Sequence, residues 1–92
     1  MANDFLEVTP KGHDLLLRLE DEVARGVRHS TREAADFFVL TELASDPKSS
    51  GELILAARQI LPNESSFVAD VRSSMRNLLE AGHITIMDAE EF

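Results

Sequence analysis

Between Phe67 and Leu79, apolar side chains fall at Phe67, Val68, Val71, Met75, Leu78 and Leu79. This is the three-four spacing of a helix with one buried stripe. A helix so sided cannot stand alone in water, because its stability comes from packing that stripe on something else. Gly82 sits where a left-handed C-cap is expected, and His83-Ile-Thr-Ile-Met87 then alternates as a strand does. The spacing predicts a helix over about 64–81 that turns sharply into a short strand.

The partners for that stripe lie upstream. Ser30-Thr-Arg-Glu33 has capping-box spacing, in which a hydroxyl and a carboxylate satisfy backbone donors at a helix start. Ala34, Phe37, Phe38 and the run Leu40 to Leu43 carry the apolar face of this helix to about Ser45, and Asp46-Pro47-Lys48 breaks it. A second box, Ser49-Ser-Gly-Glu52, starts another helix with Leu53, Ile54, Ala57, Ile60 and Leu61 on its buried side, closed by Pro62-Asn63.

At the front, Phe5-Leu-Glu-Val8 is too short for a helix and reads as a strand. Thr9-Pro10 then supplies an N-cap and a first-turn proline, predicting a helix over about 10–25 that carries Leu16, Leu19 and Val23 and ends at Gly26. Leu15, Leu17 and Leu19 also alternate, so a β-hairpin from Phe5 to Glu20 stays open, although Glu20-Asp21-Glu22 has poor strand propensity. The expected order is strand, four helices, strand. That is one mainly α domain over residues 1–92 with a small two-stranded sheet, divided into a strand and helix (1–29), a trihelical core and strand (30–87) and an acidic tail (88–92).

Composition narrows the function. A 43% hydrophobic, 28% charged chain is globular rather than disordered. With no cysteine there are no disulfides, thiolate metal sites or cysteine nucleophiles. Five Phe are the only aromatics, too few for a base-stacking platform on a basic groove. His13, His29 and His83 are scattered without metal-ligand spacing, no serine lies in a nucleophile-elbow pattern, and four isolated glycines make no phosphate loop. No enzyme activity, metal or cofactor is expected. Neither a signal peptide nor a membrane span is visible, so a cytoplasmic location is expected. The formal net charge of −8 opposes non-specific attraction to phosphate. Asp88, Glu90 and Glu91 contribute to it as a tail most simply read as solvated.

Three short helices, the third closing in Leu78-Leu-Glu-Ala-Gly-His-Ile84 and passing into a strand, resemble the winged helix-turn-helix superfamily. The resemblance covers Ser30 to Met87. Phe5-Leu-Glu-Val-Thr-Pro-Lys-Gly12 is similar to the segment that usually follows the wing in MarR-type and PadR-type regulators, where a last strand runs into a Thr-Pro-Lys-Gly helix start. Here it comes first, so the resemblance implies a permuted strand order in which Phe5–Val8 pairs with Ile84–Met87. A second resemblance, through Val68-Ala-Asp-Val-Arg72, Leu78-Leu-Glu-Ala-Gly82 and Asp46-Pro-Lys-Ser-Ser-Gly-Glu52, is to PqqD-like domains, which bind leader peptides. Those domains begin with a three-stranded sheet, and this chain lacks a clear hairpin glycine between Leu15 and Ser30.

The first resemblance implies that the third core helix enters the major groove of duplex DNA. Opposite its buried stripe lie Ser66, Ala69, Ser73, Asn77 and Glu80, with Arg72 and Arg76 one turn apart on a flank shared by Ser65. Ser65, Ser66, Arg72, Ser73 and Arg76 are the candidate DNA contacts of a small transcriptional regulator. The plain alternative makes Arg72 and Arg76 ordinary solvated residues paired with Asp70 or Glu80. The competing function is a non-enzymatic protein- or peptide-recognition module acting as an adaptor, inhibitor or PqqD-like leader-peptide binder. Leu15, Leu16, Leu19 and Val23 exceed what one helix face needs, so they are a candidate homodimer interface, or else part of a helix central to the single chain.

Overall fold

The computed structural model describes residues 5–60 and 65–87. Along the chain run β1 (Phe5–Val8), α1 (Pro10–Ala24), α2 (Thr31–Ser45), β2 (Lys48–Ser49), α3 (Ser50–Ile60), α4 (Ser65–Ala81) and β3 (Ile84–Ile86). The architecture is mainly α with a small antiparallel sheet. Leu61, the Pro62-Asn63 break, Glu64 and the acidic tail lie outside the described residues, as does the side chain of Ser65.

Local chemistry sets most of these boundaries. Thr9 caps α1 by accepting the Gly12 N–H through its hydroxyl, and Pro10 occupies the first turn. Residues 10–24 are therefore a helix and not the second arm of a hairpin. Ser30 and Glu33 form the full reciprocal box at the start of α2, and Ser49 and Glu52 make the same pair of bonds at α3. Gly26 and Gly82, at φ +80° and +82°, end α1 and α4. At α4 the His83 N–H reaches Leu78 O and the Gly82 N–H reaches Leu79 O, the paired bonds of a Schellman turn that only a residue at ease with positive φ can hold.

The sheet has three strands in the order β2-β1-β3, one more than the sequence pattern reveals. β1 is central, with Leu6 opposite Ile86 and Val8 opposite Ile84 on one side, and Phe5 opposite Ser49 on the other. β2 is two polar residues whose extended form comes from pairing with β1 and not from any alternation of its own. It is held by Lys48, which donates to Glu42 O and lies 3.7 Å from the Glu42 carboxylate.

The core collects Leu6 from β1, Leu16 and Leu19 from α1, and Ala35, Val39, Leu40 and Leu43 from α2. Leu53 and Ala57 come from α3, Val71, Met75 and Leu78 from α4, and Ile84 from β3. α2 runs through the middle, touching α1, α4 and β1, and Phe38 meets Phe67 of α4 edge to face at 5.5 Å. Two apolar expectations fail at the margins. Ala34 lies on the solvent side of α2, and Ile60, in the last turn of α3, is 56% exposed because no described element reaches over it.

The tightest joint brings the start of α1 against the end of α4. Thr9 N–H donates to His83 O at 3.0 Å, Thr9 Oγ1 to Gly82 O at 2.6 Å, and Lys11 Nζ to Ala81 O at 2.8 Å. Carbonyls that a helix terminus leaves open are thereby satisfied, with a cation at the negative end of the α4 dipole. Gly12 is buried so close to this turn that an added Cβ would lie 1.9 Å from His83 O.

Three variants test these joints and caps. Gly12→Ala, which would stabilise an ordinary helix interior, is expected to lower stability by about 2–3 kcal/mol in urea titrations, because backbone must shift to admit the methyl. Ser30→Ala is expected to cost roughly 1 kcal/mol at neutral pH. Glu33 is held below its ordinary value of 4.5, chiefly by accepting the Ser30 N–H. A carboxylate with a lowered folded pKa stabilises at pH above the unfolded value and loses that contribution as pH falls through the folded one. The destabilisation by Glu33→Ala should therefore be full at neutral pH and fade below pH 4.5 in thermal melts.

Candidate nucleic-acid interface

α4 is two-sided. Val71, Met75 and Leu78 are buried, with Phe67, Val68 and Leu79 packed beside them, while Ser66, Ala69, Arg72, Ser73, Arg76 and Glu80 face solvent and Asn77 is half-buried. The outward arc expected from helical periodicity is therefore the arc that is exposed. Ser65 opens the helix, and its side chain is not described.

Arg72, Ser73, Arg76 and Asn77 share a shallow cleft of about 270 Å³. Arg72 also borders a second concavity of about 420 Å³ with Ser50, Gly51, Ile54 and Met75, so it bridges from the α4 surface to the first turn of α3. Among the described residues neither arginine has a carboxylate within 4.0 Å, although Asp70 and Glu80 are on the same helix. The pairing that would have made them ordinary surface ion pairs does not form. Two guanidiniums one turn apart, a hydroxyl and an amide can donate to phosphate or to base edges. Glu80 on the outward arc and the half-buried Asp70 beside Asn77 are repulsive toward an anion.

Ser74 was not legible as a site residue, yet it fixes this face. It is buried, and its hydroxyl donates to Asp36 Oδ1 of α2. Its position, 60° from Val71 on the helical wheel at 100° per residue, puts it inside the apolar stripe, and a polar residue there must find a partner. Together with the buried stripe, the bond fixes which side of α4 faces outward and hence where Arg72 and Arg76 leave the helix.

The proposed dimer face fares differently. Leu16 and Leu19 are spent in the core of the single chain, and Leu15 packs partly against it; of the four, only Val23 is exposed. Leu17, 62% exposed, lies 120° away from Val23 around the helix, so α1 presents no continuous apolar stripe outward. α1 is largely the core helix that the second reading of that run allowed, because β1 and α2 both pack on it.

The histidines are dispersed. His29 approaches Glu22 at 3.2 Å and packs on Phe37, His13 is exposed, and His83 follows the Gly82 turn. No cluster of metal-ligating side chains occurs among the described residues, and no described helix is long and apolar enough to cross a membrane.

No protein-family model matches the chain, and no curated protein or solved structure is significantly similar to it.

Removing the buried hydroxyl should separate inner from outer serines. Ser74→Ala is expected to cost about 1–3 kcal/mol by leaving Asp36 without its donor. Ser73→Ala, one residue before and facing water, should stay within about 0.5 kcal/mol of the parent in the same urea titrations.

Proposed function

We propose that this protein is a small winged helix-turn-helix regulator in permuted strand order that reads duplex DNA with the outward side of α4. The observation that carries the proposal is the exposed Arg72/Ser73/Arg76 cluster, free of carboxylate partners among the described residues and continuous with the first turn of α3. A helix N-terminus beside an arginine suits a phosphate, and a guanidinium one turn further along suits a base edge or the next phosphate.

The strand pairing supports the same reading. β1 lies antiparallel to β3 and runs directly into α1 at Thr9-Pro-Lys-Gly12, the permuted arrangement that the resemblance implied. The acidic net charge does not oppose local contact strongly. At physiological salt, charges more than about 8 Å from the contact are largely screened.

Fluorescence anisotropy with labelled random-sequence duplexes tests the proposal. Affinity is expected to fall steeply as salt rises, Arg72→Ala and Arg76→Ala should each reduce the log–log salt slope by about 1, and the double variant should lose measurable binding. Binding partners recovered with no salt dependence, and unaffected by both changes, would instead establish a protein- or peptide-recognition module.

A further inference from the structure

Another cavity, of about 520 Å³, opens between α1, α2 and α4 and adjoins the Arg72/Arg76 cleft at Asn77. Asp14 and Arg18 of α1 face it, as do Arg32 and Asp36 of α2. Each pair is spaced i, i+4, where opposite charges on a helix commonly meet. Among the described residues, however, none of the four makes an ion pair, within its own helix or across the cavity. Asp36 is occupied on one oxygen by the Ser74 hydroxyl. Leu15, Leu78 and Ala81 give the wall an apolar part.

We propose that this cavity binds a small zwitterion with an aliphatic tail, in chemical class a free α-amino acid. Guanidinium groups match a carboxylate through paired N–H donors. The carboxylates of Asp14 and Asp36 match an ammonium, and the Leu15/Leu78/Ala81 wall matches the side chain. The mixed lining also discriminates among charged ligands: a simple anion meets two carboxylates and a simple cation meets two guanidiniums, whereas a zwitterion can set each of its charges against the opposite one. His83 and Asn77 complete the rim. The His83 Nδ1 is enclosed with no partner among the described residues, which leaves Nε2 as its accessible ring nitrogen. The volume lies within the range of about 300–1,000 Å³ usual for small-molecule sites. Asn77 lines this cavity and the Arg72/Arg76 cleft alike. The binding assignment nevertheless does not depend on what that cleft recognises.

Isotope-labelled full-length protein titrated with L-leucine, followed by amide chemical shifts, provides the test. Saturable shifts are expected at Leu15, Asn77, Leu78, Ala81 and His83. Isocaproate, which lacks the ammonium, and isoamylamine, which lacks the carboxylate, should each bind at least about tenfold more weakly. Arg32→Gln and Asp14→Asn should each weaken leucine binding about tenfold while leaving the rest of the spectrum in place, with Arg18→Gln substituting if the Arg32 variant does not fold. Absence of saturable shifts at the cavity up to about 10 mM leucine would overturn the assignment. So would equal response to the three probes, or variants that bind as the parent does.

Discussion

β1 has neighbours on both sides that are remote in sequence, β2 about forty residues on and β3 about eighty. Its continuation into α1 locks against the turn that ends α4, through Thr9, Lys11 and the side-chain-free surface of Gly12. Three hydrogen bonds and one close backbone approach thus tie the front of the chain to the end of the helix that carries the candidate site. Without that seam α1 would keep only its packing on α2 and β1, and α4 would lose the partners of its C-terminal carbonyls.

The seam fixes one end of α4, while the stripe and Ser74 fix its roll. Val71, Met75 and Leu78 are driven inward by water, a force with no direction of its own. The Ser74–Asp36 bond adds direction, since a hydroxyl must meet a carboxylate within a narrow range of angles. The exposed arginines inherit their positions from these inward constraints.

Much of this was legible in the sequence because the signals are local. Capping at Thr9, Ser30 and Ser49, glycine stops at 26 and 82, and the stripe of α4 each depend on a few adjacent residues, and each is realised. What escaped depends on tertiary partners. Lys48-Ser49 is a strand only because β1 lies beside it, and Leu16 and Leu19 look surplus until β1 and α2 are packed around α1. Similarly, the exposure of Arg72 and Arg76 follows from periodicity, whereas their freedom from Asp70 and Glu80 needed side-chain geometry. Ser74 could have been found by asking which polar residue falls within the apolar arc.

The central place of β1 bears on how the chain is made. Synthesised before both of its neighbours, this strand can find β2 once residue 49 has cleared the ribosome exit, but its other edge has no neighbour until residue 86 does. Throughout that interval an open row of backbone donors and acceptors, with Leu6 and Val8 beside it, waits uncovered. Such an edge invites pairing with other chains. The short length of β1 and the charge of Glu7 within it are features that limit this exposure during synthesis.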